Sequence, residues 1–381
     1  EVQRAVDIFY YYAEKAFDDN GRSKGASGGR TAVYTTREPL GVAGLITPWN
    51  YPVAIPAWKV APALATGNAA VLKPGSDAPG PAREIVRALD EAGIPDGVIN
   101  FVPGSGSEVG GTLTDHDAVD VVSFTGSAEV GHQVYREATA DTKRAQAEMG
   151  GKNPTVVTAN ADVEEAVEIV GAGAFGVTGQ ACTACSRAIV HTDVYDEFLE
   201  GIVDYAESIQ VGPGTEDPDM GPQVNQAELD STLEYVDVGE SEGASLETGG
   251  RALDGSVFAD GYFVSPAVFS DVSPDMRLFQ EEIFGPVLAV TEVEDFDEAV
   301  TVANDSRYGL SASVVTDDLG QAHEFVGRSE SGVVKVNEKT TGLELHVPFG
   351  GLKDSSTNTY REQGDAAIDF YTQTKTVYLN A

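Results

Sequence analysis

The stretch GQACTACSR, residues 179–187, holds both cysteines of the chain, Cys182 and Cys185. A thiolate serves as nucleophile and as metal ligand, so the pair has three chemical readings: a redox or disulfide pair, half of a zinc site, or a nucleophile with a bystander. A zinc site needs two more ligands, and His116, His132, His191, His323 and His346 show no ligand spacing. A redox C-x-x-C would sit near the start of a small domain, whereas this one lies midway along 381 residues. A nucleophile and a packed cysteine remain, and the segment alone leaves both open. A nucleophile would need a base and an oxyanion donor from elsewhere in the chain.

Candidates for both exist. In EMGGKNP, Glu148 precedes two glycines that permit close backbone approach, so it could act as a general base; on its own it reads more simply as a surface Glu. In TPWNYP (47–52), two prolines bracket Asn50, a rigid amide that could stabilise an oxyanion or could be an ordinary turn residue. Two apolar runs, INFVP and VVSF, lead into GSGSEVGG (104–111) and TGSAEVGH (125–132). Small residues after a strand allow backbone N–H groups to meet a phosphate at a helix start. Neither loop is a clean G-x-G-x-x-G, so phosphate cradle and tight turn both stay open. Lys73, in a chain poor in lysine, ends the run AAVLKP and reads equally as a phosphate partner or a solvated strand terminus. EEIFGP (281–286) and VPFGG (347–351) set aromatics beside glycine, which singly means packing corners.

The elements that must carry these residues alternate. Apolar positions Val2, Ala5, Val6, Phe9, Tyr10, Ala13 and Phe17 recur at helical spacing, and DDNGRSKGASGGR (18–30) breaks that pattern. TAVYTTREPLGVAGLITPW reads as strand. Short β-type runs at 69–74, 97–104, 119–127 and 153–159 alternate with helical patterns such as 80–93 and 162–176, the latter with Asp162 as N-cap. This alternation predicts βαβ units and mostly parallel sheets. The closing AAIDFYTQTKTVYLNA reads as β-rich, with an edge strand to offer a neighbour.

Charge sets the outer conditions. Asp plus Glu number 61 against 24 Lys plus Arg, a formal net charge of −37, scattered along the chain. A folded core with such a surface reads as a halophile's protein, because concentrated salt shortens the Debye length and relieves self-repulsion. A polyanion is a poor partner for nucleic acid or anionic membrane. No apolar run approaches a membrane span and no signal peptide is visible, which makes the cytoplasm the expected compartment. The chain opens without Met inside a helical pattern, so N-terminal material is expected to be missing.

Taken together and in order, TPWNYP, VLKP, FTGS, EMGGK, GQ-x-C-x-A-x-SR, EEIFGP and VPFGG resemble the NAD(P)-dependent aldehyde dehydrogenase superfamily along the whole chain. The resemblance implies an α/β fold: a Rossmann-type dinucleotide-binding domain (1–20 and 40–149), an α/β catalytic domain (150–346), and a small β bridging element for oligomerisation (21–39 and 347–381). It implies Cys182 as nucleophile, Cys185 as bystander, Glu148 as general base, Asn50 as oxyanion donor, and Lys59 lining the route to the base. For the cofactor it implies Lys73 at the adenosine ribose, Gly126 and Ser127 at the pyrophosphate turn, Trp49 beside them, and Glu282 and Phe284 at the nicotinamide ribose and ring. No metal is implied.

Within the family, TTREPLGVAGLITPWNYPVAIPAWK and REQGDAAIDFYTQTKTVY are most similar to 2,5-dioxopentanoate (α-ketoglutarate semialdehyde) dehydrogenases, which act in pentose or sugar-acid degradation. Trp58 stands where succinate semialdehyde relatives tend to carry Arg. A lactaldehyde or other semialdehyde dehydrogenase, or a truncated non-catalytic homologue, are the alternatives. Ser76 occupies the place where NAD-selective members often carry Glu, so NADP is expected to be accepted alongside NAD. A homodimer or homotetramer is expected.

Overall fold

Short apolar runs that stop at Gly or Pro become parallel strands here, and the amphipathic runs between them become the crossover helices. The structure is a computed structural model that describes residues 1–18 and 21–380. Asp19 and Asn20, in the polar break, and Ala381, at the end of the bridging element, lie outside the described residues. The chain forms two units: Glu1–Glu148 with Glu344–Gly350 and Thr357–Ala381, and Met149–Leu343 with Gly351–Ser356.

In the first unit, strands Val42–Ile46 (β1), Ala69–Lys73 (β2), Ile99–Phe101 (β3), Val121–Thr125 (β4) and Arg144–Glu148 (β5) make a five-stranded parallel sheet in the order β3-β2-β1-β4-β5. The chain runs outward from β1 through β2 to β3, then returns to the other side of β1 for β4. The carboxyl ends of β1 and β4 therefore flank a topological switch point, where open α/β sheets bind ligands. Helices Val2–Lys15 (α1), Ala54–Ala65 (α2), Pro79–Glu91 (α3) and Ala128–Ala140 (α4) accompany the sheet. Leu45, Val60, Ala63, Leu72, Val121, Phe370 and Tyr371 are buried together in one core of this unit.

The run TAVYTTREPLGVAGLI splits at Leu40–Gly41. Thr31–Pro39 leaves for a three-stranded antiparallel sheet with Ser23–Lys24 and the closing strand Thr372–Asn380, and Val42–Ile46 enters the parallel sheet. The closing segment departs from its reading as β-rich: Gly364–Tyr371 is helical, and the strand starts only at Thr372. Phe370 and Tyr371 are buried on the sheet, and the Arg144 guanidinium takes the carbonyls of Asp369 (3.2 Å), Phe370 (2.8 Å) and Thr372 (2.5 Å) where helix gives way to strand.

In the second unit, strands Asn153–Val157 (β6), Cys185–His191 (β7), Ser245–Thr248 (β8), Ala267–Ser270 (β9), Val287–Val293 (β10), Ser311–Val315 (β11) and Val333–Val336 (β12) form a seven-stranded sheet. Its order is β8-β9-β10-β7-β6-β11-β12, parallel except for β8 against β9. Helix Val163–Phe175 (α5) begins as expected at Asp162, whose carboxylate accepts the Glu165 N–H at 3.0 Å. Helices Thr192–Ser208 (α6) and Gln226–Glu242 (α7) follow. Among the described residues no helix is long and apolar enough to cross a membrane.

Candidate active site

The cysteine segment is a loop, not a helix. It lies between a short 3-10 turn, Gly176–Gly179, and β7, and the Ala184 N–H closes it onto the Ala181 carbonyl at 2.8 Å. Cys185 is the first residue of β7 and is buried; its Sγ lies 3.2 Å from the Thr155 hydroxyl and 3.6 Å from the Arg187 carbonyl. Burial pushes its thiol up to about 11, so at neutral pH it stays protonated and inert. Cys182 is half-buried in the turn, and both cysteines are free thiols. Three consecutive residues ahead of it hold left-handed conformations: Val177 (φ 56°), Thr178 (φ 59°) and Gly179 (φ 67°). For a β-branched residue that is strained backbone.

Side chains hold that loop in place. The Gln180 amide donates to the Val177 and Pro222 carbonyls at 3.4 and 3.3 Å, and its oxygen accepts the Val224 N–H at 2.9 Å. The Thr178 hydroxyl donates to the Gly221 carbonyl at 3.1 Å. Asn153 donates to the carbonyls of Cys182 and Ala184, both at 2.8 Å, while its oxygen accepts the Ser311 N–H at 2.9 Å. Asn153 is thus the buried post on which the cysteine turn hangs. Sequence reasoning missed it, although it lies inside the EMGGKNP motif. Gly179 and Gly151 are obligatory: a Cβ would lie 2.1 Å from the Gly285 carbonyl oxygen in the first case and 2.8 Å from the Cys182 carbonyl oxygen in the second.

Glu282 and Phe284 lie in the same unit. They line a cleft with Gly151, Gly179 and Gly285. The Glu282 carboxylate rests on Gly150, where a Cβ would lie 1.9 Å from its Oε2, and accepts the Gly151 N–H at 3.0 Å. The side chain keeps some surface, but its carboxyl sits in dense protein, which pushes its pKa up to about 7 against the pull of that N–H and of Lys152. Phe284 adopts a left-handed backbone (φ 59°) that turns the chain at this point.

The first unit carries the other candidates. Trp49 and Asn50 come after β1, Thr47 and Pro48, in the bend before α2. The Thr47 N–H donates to the Lys73 carbonyl at 3.1 Å, which ties the ends of β1 and β2. Beyond Lys73 the chain passes so close to this bend that a Cβ on Gly75 would meet the Trp49 nitrogen at 2.6 Å. Burial lowers the Lys73 amine below the usual lysine range, with Asp77 pulling the other way. The exposed Ser76 hydroxyl donates to the Gly104 carbonyl at 3.2 Å. Gly126 and Ser127 follow β4, and Ser127 is the N-cap of α4 without a side-chain capping bond, so it leaves the first-turn N–H groups to another acceptor. A glycine-built cradle at the switch point, an uncapped helix start and a buried lysine fit a dinucleotide.

Glu148, the last residue of β5, is buried, and its carbonyl accepts the Gly126 N–H at 3.2 Å. Its Oε1 lies 2.6 Å from where Gly350 of VPFGG would carry a Cβ, so that glycine makes the room for the carboxylate. Lys59 is buried in α2; its ammonium donates to the Ser123 hydroxyl at 2.7 Å and pairs with the Glu362 carboxylate, itself buried. Glu362 carried no role in the sequence reading. A lone Glu in REQG gives no hint of a partner 303 positions away. Among the described residues no group of three or more His, Cys, Asp or Glu could hold a metal ion.

Residues 1–377 match the aldehyde dehydrogenase family model. This chain belongs to the aldehyde dehydrogenase family. It is 63% identical over 378 residues to the α-ketoglutarate semialdehyde dehydrogenase of Haloferax volcanii, covering 99% of this chain and 78% of that protein. It is 47% identical to the 2,5-dioxopentanoate dehydrogenase of Saccharolobus solfataricus, covering 99% and 79%. Two solved aldehyde dehydrogenases superpose closely. One is the Staphylococcus aureus betaine aldehyde dehydrogenase in complex with NAD+, with a TM-score of 0.96 at 36% identity, covering 99% of this chain and 75% of that one. The other is the NAD+ complex of a Bacillus cereus aldehyde dehydrogenase, with a TM-score of 0.95 at 37% identity, covering 100% and 76%. As an aldehyde dehydrogenase, the chain has the α/β fold expected of it, with a parallel sheet in the first unit and a mostly parallel one in the second.

Proposed function

We propose that this aldehyde dehydrogenase oxidises 2,5-dioxopentanoate to 2-oxoglutarate with NADP or NAD. The observation that carries the substrate is the 63% identity, over nearly the whole chain, to the α-ketoglutarate semialdehyde dehydrogenase of Haloferax volcanii.

Cys182 is the nucleophile. Its turn is held by Asn153 and Gln180, and the other cysteine is a protonated, buried thiol. The thiolate attacks the aldehyde carbon, and the alkoxide that forms is held by the Asn50 amide and the Cys182 backbone N–H, a contribution typically of about 3–4 kcal/mol. The nicotinamide, when bound, supplies the acceptor for the hydride of that carbon. Glu148 then takes the proton from the water that hydrolyses the thioester on Cys182. Lys59, ion-paired with Glu362, lies on the route by which that proton leaves. Lys73, Ser76, Gly126, Ser127 and Trp49 hold the adenosine and phosphate end of the cofactor; Glu282 and Phe284 hold the nicotinamide end. Ser76 can donate to a ribose phosphate without adding negative charge, which favours acceptance of NADP.

The chain works as a homodimer or homotetramer in a salt-rich cytoplasm. The closing strand Thr372–Asn380 is the outer strand of its sheet, with Tyr378 and Leu379 exposed, and offers an edge for strand addition. The deciding experiment is a panel of aldehydes assayed with each cofactor in molar KCl. The reading requires the highest kcat/KM for 2,5-dioxopentanoate. A higher value for succinate semialdehyde or an uncharged aldehyde would reassign the substrate.

A further inference from the structure

Two polar side chains of the first unit are buried in strands that are otherwise mostly apolar: Ser123 in β4 and Gln146 in β5. Burying a polar group is costly unless it is hydrogen-bonded, so both need a reason. In the register of these strands Ser123 stands opposite Gln146, and Thr125 stands opposite Glu148. Alternate residues of a strand share a face, so Ser123 and Gln146 lie on the face of the sheet that carries Glu148.

Their hydrogen bonds converge on Glu362. The Gln146 amide donates to the Ser123 hydroxyl and to Glu362 Oε1, each at 3.2 Å, and the Ser123 hydroxyl donates to the same oxygen at 3.3 Å. The Lys59 ammonium donates to the Ser123 hydroxyl at 2.7 Å and to Glu362 Oε1. One carboxylate oxygen therefore takes three donors, which fixes the pair in a single geometry. The backbone of Glu362 is clamped as well: its N–H donates to the Phe349 carbonyl at 2.8 Å, and its carbonyl accepts the Phe349 N–H at 2.7 Å. The next residue, Gly350, is the glycine that makes room for the Glu148 carboxylate. Consecutive residues of VPFGG thus hold Glu362 on one side and adjoin Glu148 on the other.

We propose that Gln146, together with Ser123, is a positioning residue for deacylation, holding the Lys59–Glu362 pair in place on the route by which the proton taken up by Glu148 leaves. The inference rests on the reading of Glu148 as the base and of Lys59 as part of that route. Gln146 exchanges no proton itself, because its amide stays neutral. Without its N–H, the Glu362 carboxylate is held by Lys59 and Ser123 alone and is free to turn, carrying the ammonium with it. Hydride transfer comes before the step that needs the base, so the loss should be felt only after it.

The test compares hydride transfer with turnover for the wild type, Gln146→Leu, Ser123→Ala and Glu148→Gln, with 2,5-dioxopentanoate in molar KCl. Stopped-flow absorbance with enzyme in excess over NADP gives the first rate, and the steady state gives kcat. Gln146→Leu should transfer hydride within about twofold of the wild-type rate while kcat falls about tenfold or more. Intact mass of the acid-quenched variant should then show the acyl group accumulating on Cys182. An unchanged kcat, or an equal loss in both rates, would mean that Gln146 only supports the fold. If Gln146→Leu does not fold, the smaller change Ser123→Ala is read in the same way. Glu148→Gln separates the two readings. If it turns over at the wild-type rate, the base is misassigned, whatever Gln146 does. If it stalls as the acyl-enzyme while Gln146→Leu and Ser123→Ala turn over normally, the base stands and the positioning role falls.

Discussion

The Lys59 ammonium and the Glu362 carboxylate form a fully buried ion pair between α2 and the closing segment of the first unit. Ser123 and Gln146 surround it: the Gln146 amide donates to the Ser123 hydroxyl and to Glu362 Oε1, each at 3.2 Å. Removing one partner strands a charge. Lys59→Met and Glu362→Leu should each destabilise by roughly 3–5 kcal/mol, and the double variant should recover much of that loss. Urea midpoints of the four proteins check it. Additive losses would show that the two groups do not depend on each other.

Cys182→Ser should lower kcat by at least about 10⁴-fold while leaving cofactor binding intact. Cys185→Ser should keep most activity, because its buried sulfur packs against the Thr155 hydroxyl and the Arg187 carbonyl. Iodoacetamide at pH 8 should label Cys182 and spare Cys185, whose thiol burial holds near 11. Glu148→Gln should release one hydride per site in a burst and then stall, since only deacylation needs the base. Peptide mapping and stopped-flow absorbance give these answers directly. Turnover by Cys182→Ser would mean the wrong sulfur was assigned.

The backbone around Gly179 leaves no room for a side chain. Gly179→Ala would put a Cβ 2.1 Å from the Gly285 carbonyl oxygen at a left-handed φ of 67°. The variant should lose on the order of 2 kcal/mol in stability and about ten- to a hundredfold in kcat, because the loop carries Cys182. Val177→Gly should do the opposite for stability, by about 1 kcal/mol, since it relieves a β-branched residue in the same region. A neutral Gly179→Ala would refute the claim that this turn positions the nucleophile.

Lys152, which is buried, predicts how stability changes with pH. Its amine is lowered to about 7 in the folded chain but titrates near 10.5 when unfolded. Between those values the unfolded chain binds the extra proton, so this group makes stability rise with pH from 7 towards 10. Below pH 7 both states carry the proton, and the cost of burying the cation is felt in full. Denaturant melts of Lys152→Met should show that rise flattened. An equal slope in both proteins would mean that the amine stays charged in the fold.

Stability should climb with KCl into the molar range and fall in dilute buffer, because the formal charge of −37 repels itself when unscreened. Melting temperature against KCl concentration is the measurement. A flat or falling curve would remove the halophilic reading.

The alternation of short apolar runs with amphipathic helical patterns pointed by itself to mostly parallel sheets crossed by helices, and Asp162 marked a helix start that the fold uses. Motif order placed Cys182, Glu148, Asn50 and Lys73 as candidates, because a nucleophile, a base, an oxyanion donor and a phosphate partner have recognisable chemistry in one dimension. Only the tertiary structure decided what lies near them. It put the Cys185 thiol in the core against Thr155, hung the cysteine turn on Asn153, and joined Lys59 to Glu362 across 303 positions. Such pairings depend on register and on which backbones approach closely enough to exclude a Cβ, and one chain's order of residues carries neither quantity. The closing segment shows the same limit. Its alternating tail does form a strand, but Gly364–Tyr371 becomes helical because Phe370 and Tyr371 are buried against the parallel sheet, a partner that only the fold supplies.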